Sequence, residues 1–211
     1  MRYLGRSGLS FILGCFLGVF TASTAFAAGE ERFAAEENTL DTVTVKRMRD
    51  TGLPNEKIVD VRFSKRWLDD QPKTSGGADW RCLAEALYFE ARGETVKGQF
   101  AVAEVILNRV KSDRFPGSAC GVINQGTGKK YQCQFTYTCD GRKEVIKERR
   151  AFDRVAKVAR FALDGYAPKL TQGATHYHTK AVSPRWSKVY TKTAAIGSHV
   201  FYRHTWRTAS N

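Results

Sequence analysis

Between residues 78 and 165 apolar side chains recur three times at helical spacing, and the first of these stripes ends in a carboxylate. Leu83, Leu87 and Glu90 stand at i, i+4 and i+7, with Ala86 beside them. That spacing puts all four on one helix face. The pattern predicts a helix over about 80–92, with Asp79 as N-cap and Gly93 closing it. A second helix is expected over 96–110, on a stripe of Val102, Val105, Ile106 and Val110. A third is expected over 144–163, on Val145, Phe152, Val155, Ala159 and Ala162, with Gly165 as its stop. The stretch "GTGKKYQCQFTYTCDG" between the second and third reads as a loop, a short strand and a turn. Beyond Tyr166, "ATHYHT", "KVYT" and "SHVFYRH" alternate like short strands or extended loops with aromatic faces. The sum is an α+β domain, mostly helical with a small β-sheet.

The chain before this domain has a different character. Arg2 and Arg6 precede an apolar run, Leu9 to Phe20, and Ala25-Phe26-Ala27 is a small-x-small site. Together they predict a signal peptide over 1–27 and an exported, periplasmic mature chain. Residues 28–77 hold ten acids and nine bases, a net of −1, and few aromatics. They are expected to be disordered or loosely structured, with "QPKTSGGAD" as a linker. Residues 79–211 hold 23 bases and 11 acids, a net of +12 out of a chain total of +13. The predicted division is therefore 1–27, 28–78 and 79–211. The basic domain suits an acidic partner such as an anionic polymer.

Four cysteines remain after the signal segment: Cys82, Cys120, Cys133 and Cys139. An even number in an exported chain suggests two disulfides, and three pairings are possible. If "CQFTYTC" is extended, its cysteines lie about 20 Å apart. That disfavours Cys133–Cys139 and leaves Cys120–Cys133 with Cys82–Cys139 as the preferred set. A four-cysteine zinc site lacks any C-x-x-C spacing to support it.

Glu90 carries the strongest chemical signal. A carboxylate on a core-facing stripe loses solvation, and its pKa rises. Such an acid can stay protonated near neutral pH and donate to a leaving group, as glycoside cleavage requires. A buried ion pair with Arg92 or Arg109 is the competing structural reading.

"EALYFEARGE…GQFAVAEVILNRV" resembles the bacterial cell wall hydrolases of the SleB/CwlJ type. The matching residues are Glu90, Ala91, Gly93, Glu94, Gly98, Gln99, Ala101, Val102, Ala103, Leu107, Asn108 and Arg109. "FPGSACGVINQ", "QFT", "GATHYH", Trp186 and "GSHVFYRH" follow in order, so the resemblance covers about 80–204. It implies a lysozyme-like, transglycosylase-like fold that cleaves the MurNAc-GlcNAc β-1,4 bond of peptidoglycan. It places the catalytic acid at Glu90. It also favours a single-Glu lytic transglycosylase over a muramidase, which needs a second carboxylate; a non-catalytic peptidoglycan-binding or assembly protein on the same fold is the alternative of a different class. Spore-cortex specificity is not implied, because this chain has no wall-binding repeat. General wall remodelling, with a wall-spanning or secretion assembly as a further partner class, fits the exported context better.

Other residues are candidates for the substrate cleft. Glu94 is read as a supporting polar residue on the turn. Gln134 and Thr136 are read as hydrogen-bonding residues of a "QFT" strand, with a cross-strand core pair around Phe135 as the alternative, and Tyr177 and Trp186 as rings that stack on sugars or pack in the core. Asp140 and Asp113 are the loop acids nearest the motifs, and Asp140 reads as a turn residue. His176, His178 and His199 invite a zinc reading, but no His-Glu-x-x-His accompanies them; no metal and no cofactor are expected. The basic stretch "KEVIKERRAFDRVAKVAR" is read as attraction to wall polymer or as a solvated face. Nucleic acid is not expected as a partner, nor a membrane beyond the signal segment.

Overall fold

The computed structural model describes residues 42–47, 57–128 and 133–204. All belong to one compact unit, Leu40–Asn211; a second unit, Met1–Thr39, lies outside the described residues. The expected signal segment falls there, so its structure is not described.

Helix α2 (Ala78–Ala91) and helix α3 (Val96–Val110) form the centre. Helix α5 (Arg149–Leu163) packs against both. Leu83, Ala86 and Leu87 of α2 are fully buried. They meet Val102, Val105 and Ile106 of α3 and Val155, Val158 and Ala159 of α5 in one continuous core. Burying an aliphatic side chain of this size contributes about 1.5–3 kcal/mol. A short helix, α4 (Ala119–Ile123), adds Val122 and Ile123 to it. A three-stranded antiparallel sheet covers one side: β3 (His176–Thr179), β4 (Thr191–Ile196) and β5 (His199–Arg203), with β5 central. Phe201 of β5 is its buried anchor. The mostly helical α+β class is therefore as read from the pattern.

Several boundaries differ. The N-cap of α2 is Gly77, and Asp79 sits inside the first turn, where its carboxylate accepts from Cys120 N at 3.0 Å. Gly93 is not a left-handed stop: Arg92 is the C-cap at φ −60°, and Gly93 is outside the positive-φ set. Gly165 does close α5 at φ 81°, with its N–H bonded to Ala162 O and the next N–H to Phe161 O. Helix α5 starts at Arg149, so Val145 lies before it and is exposed.

The expected loose segment also needs correction. Strand β1 (Thr42–Arg47) pairs with β2 (Lys57–Arg62) in an antiparallel ladder. Val61 and Leu68 are fully buried, the latter on helix α1 (Lys65–Asp70). That helix is strapped to α5: Lys157 Nζ donates to Leu68 O at 2.7 Å and Asp69 O at 3.2 Å. Arg154 grips the Asp69 carboxylate in a fork, with bonds of 2.7 and 2.5 Å. Trp80 Nε1 adds a bond from α2 to Ala156 O at 3.0 Å. The packed body thus begins before residue 79. Part of the "basic face" of α5 is an internal fastening, with Lys157 buried.

Both expected disulfides are overturned. The bonds are Cys82–Cys120, with Cα atoms 5.2 Å apart, and Cys133–Cys139, with Cα atoms 6.2 Å apart. The segment 133–139 is not extended. It bends at Gln134 and Phe135 into a 3-10 turn, η1 (Thr136–Cys139), and that folding brings its two ends together. The "QFT" strand is therefore a bend, not a strand.

Candidate active site

Glu90 lies in the last turn of α2 and is half-buried. The Tyr177 hydroxyl donates to its Oε2 at 3.3 Å. Burial pushes the Glu90 carboxyl above its usual range, and the Tyr177 bond partly offsets this by favouring the ionised form. The competing ion pairs do not form. Arg92 binds Glu148 at 2.9 Å, and Arg109 Nε donates to Thr175 O at 2.6 Å.

Two neighbouring residues of α3 place Tyr177. Asn108 Nδ2 donates to Ala174 O at 2.9 Å, and Arg109 holds the next carbonyl. These bonds dock the start of β3 on α3. The alternation of the strand then turns Tyr177 to one face and His176 and His178 to the other, and all three are half-buried. The Leu-Asn-Arg stretch is thereby explained as a clamp on the strand. Arg109 is buried, and burial lowers its pKa to about 10. With the Gln134 carboxamide oxygen facing it, Arg109 also donates to that oxygen through Nη1 at 3.0 Å and Nη2 at 3.2 Å. Gln134 is exposed, as is Thr136 at the start of η1.

Tyr137 was missed by sequence reasoning. Its ring stacks on Phe89 at 4.6 Å and 20°. Burial first, and then the charges of Glu85, Glu90 and Glu144, push its hydroxyl pKa upward. Tyr177 is raised for the same first reason. Both phenols remain protonated and can donate. Glu85, half-buried on the same helix, is also raised, chiefly by burial. The signal in the sequence was the aromatic residue inside the short loop closed by Cys133–Cys139, which presents Tyr137 to the Phe89 ring.

Glu94 faces the β4–β5 turn. Its Oε2 accepts from Ser198 N at 3.1 Å, and its Oε1 accepts from the Ser198 hydroxyl. His199 Nδ1 lies 3.7 Å from Oε1, too far for a hydrogen bond. Burial lowers the pKa of His199, and the Glu94 charge partly offsets this. Gly98 and Gly197 make room for this carboxylate. A Cβ on Gly98 would lie 3.1 Å from Glu94 Oε2, and one on Gly197 would lie 2.0 Å from it. Gly197 also has φ 59°. Gly197→Ala is expected to cost about 1–3 kcal/mol in urea denaturation, from strain and the displaced carboxylate. Gly117→Ala, with open space at its Cβ, should leave the midpoint nearly unchanged; equal losses would contradict this account.

Trp186 does not share the Tyr177 side of the strand. It packs 5.5 Å from both His176 and His178, and it stacks on Tyr190 at 5.4 Å. Tyr177 instead contacts His199 and Phe201. His178 Nε2 meets the Tyr202 hydroxyl at 3.1 Å, and His176 Nδ1 meets the Thr175 hydroxyl at 3.0 Å. Burial, then the charges of Arg109 and His204, lower His176 to about 4. No group of three or more His, Cys, Asp or Glu side chains among the described residues could hold a metal. Asp140 is exposed and caps its own turn, its Oδ1 accepting from Arg142 N at 2.8 Å. Asp113 is exposed as well.

A half-buried carboxyl at a helix end that accepts from a tyrosine hydroxyl is an arrangement that can serve as a general acid or base. A model of the cell wall hydrolase family matches residues 93–202, beginning just after Glu90. The chain belongs to the cell wall hydrolase family. It is 37% identical over 126 residues to the spore cortex-lytic enzyme of Bacillus subtilis, a span of 58% of this chain and 37% of that protein. The Bacillus cereus spore cortex-lytic enzyme is 34% identical over 124 residues, 58% of this chain and 43% of that protein. The chain therefore matches less than half the length of these relatives. The solved catalytic domain of the germination-specific lytic transglycosylase SleB from Bacillus anthracis aligns with TM-score 0.48 and 31% identity. That alignment covers 63% of this chain and 100% of that one.

Proposed function

We propose that this chain cleaves the MurNAc-GlcNAc β-1,4 bond of peptidoglycan as a lytic transglycosylase, with Glu90 as its acid and base. The observation that carries the reading is the single Glu90 carboxyl held above its usual pKa beside the Tyr177 hydroxyl. Protonated Glu90 donates to the glycosidic oxygen as the C1–O bond breaks. The resulting carboxylate then takes the proton of the muramic C6 hydroxyl as that oxygen bonds to C1. The products are a free 4-hydroxyl and a 1,6-anhydromuramic end, and no water is consumed. Tyr177 and Tyr137 supply neutral donors that cost the acid none of its proton, and Gln134 and Thr136 are proposed to contact substrate at the exposed rim.

The exported, periplasmic location belongs to the same proposal. It draws on the family's wall substrate and on the signal-like segment 1–27. No helix among the described residues is long and apolar enough to cross a membrane. Residues 79–211 are proposed as the catalytic portion together with the packed segment before them. Wall remodelling beside a larger assembly is the proposed setting.

Mass spectrometry of the fragments released from purified peptidoglycan tests the chemistry. Anhydromuramic ends are expected. Reducing muramic ends would replace the reading with hydrolysis and would direct attention to Glu85, a half-buried acid on the same helix whose charge, like those of Glu90 and Glu144, reaches Tyr137.

A pH profile tests the role of Tyr177. Its bond favours ionised Glu90, so Tyr177→Phe is expected to move the alkaline limb of kcat/KM to higher pH. A shift to lower pH would contradict that assignment.

A further inference from the structure

Helix α3 has a second polar face. Glu104, Leu107, Asn108 and Lys111 stand at i, i+3, i+4 and i+7. With the end of α5 and the 165–173 loop they line a cleft of about 470 Å³ that includes neither Glu90, Tyr177 nor Tyr137. From this cleft we infer a binding site for a short, carboxylate-bearing peptide.

The cleft is built rather than incidental. The buried Glu104 Oε2 accepts from two successive backbone donors of its wall, Leu170 N at 2.6 Å and Thr171 N at 2.9 Å. Asn108 ties the far end of that wall at Ala174 O. Between these anchors Gln172 is held at φ 52°, a conformation non-glycine residues rarely adopt, next to Gly173 at φ 78°. Strain of this kind persists only where surrounding contacts hold it, and it concentrates at functional sites.

The lining selects the ligand. Lys111 and Lys169 line the cleft, and their ammonium groups favour carboxylates. Glu104 uses Oε2 for its wall, which leaves Oε1 as an acceptor for an amide N–H. Leu107, Ala162 and Pro168 supply apolar surface. The volume exceeds what a bare inorganic anion fills and falls in the range of about 300–1,000 Å³ of clefts that hold drug-sized organic ligands, enough for part of a short peptide. The source of the peptide rests on the peptidoglycan reading above. There, carboxylate-bearing peptides hang from the same glycan that Glu90 is proposed to cut, and engaging one would hold the strand in register.

The test uses the full chain with Glu90→Gln, so that binding is read apart from cleavage. Free stem tetrapeptide, and the same peptide with its carboxylates amidated, are titrated and followed by amide NMR shifts. Shifts are expected at residues 104–111 and 165–173. Lys111→Glu/Lys169→Glu should weaken binding by about tenfold or more, and amidation by a similar factor. Shifts centred on Tyr177 and Tyr137, equal binding of the amidated peptide, or no shift at millimolar peptide would each overturn the inference. Peptide binding here without any glycan cleavage by the wild type would overturn only the proposed function.

Discussion

Glu90→Gln is expected to lower glycan cleavage by about 10³-fold and, in the same protein, to raise the melting temperature at neutral pH. The rate loss follows because one group is asked to be both acid and base, and a positioned general acid or base contributes about 10²–10⁴-fold. Gln keeps the shape and can still accept from the Tyr177 hydroxyl, but it carries no transferable proton. The stability gain follows from the direction of the pKa shift. The folded-state value lies above the unfolded one because burial disfavours the charge. Between the two values the folded state binds more protons than the unfolded state, so stability falls as pH rises through that window. Above the folded pKa the full penalty is present, and the neutral amide escapes it. Below the unfolded pKa, wild type and variant should converge. Thermal melts at several pH values alongside release assays check both halves. A variant that loses activity and also loses stability at neutral pH would mean that Glu90 is a packing residue, and the acid assignment would fail.

The helical framework was legible because its signals were local. Leu83, Leu87, Val102, Val105 and Val155 fall at helical spacing, and all are fully buried. Glu90 was legible for the same reason, as a charge on an otherwise apolar stripe. What stayed hidden depends on contacts distant in sequence. Helix α1 offers one buried residue, Leu68, in six. Its fastening to Lys157 crosses 89 residues, so its charges looked like those of a solvated segment. Glu94 was read as a supporting polar residue near the cleft, and it does hold a backbone donor, but nothing in its neighbourhood predicts that the donor is Ser198, 104 residues away. Trp186 and Tyr177 looked alike as exposed aromatics. Parity along β3 turns Tyr177 to one face of the strand, while Trp186, on a 3-10 turn at 185–188, packs on the other face against His176 and His178, a placement that no local signal gives.

The disulfides show where a geometric argument from sequence failed, and they lead to the second large effect. The estimate that Cys133 and Cys139 are too distant assumed an extended chain; a 3-10 turn shortens that path to a Cα separation of 6.2 Å. The two bonds therefore differ in what they constrain. Cys82–Cys120 closes a separation of 38 residues, and Cys133–Cys139 one of only 6. Loop-closure entropy then assigns about 4 kcal/mol to the first and about 2 kcal/mol to the second. The long link also joins α2 to α4 at the point where Asp79 accepts from Cys120 N, so its loss frees both elements at once. Cys82→Ser/Cys120→Ser is expected to lower the urea midpoint strongly and leave the little activity that survives tied to the folded fraction. Cys133→Ser/Cys139→Ser should lower the midpoint less, yet reduce activity in protein that remains folded, because η1 no longer holds Tyr137 against Phe89. Denaturation and activity measured on both double variants separate the two roles. Equal midpoint losses would show that loop length does not govern them. Full activity in folded Cys133→Ser/Cys139→Ser would remove Tyr137 from the site.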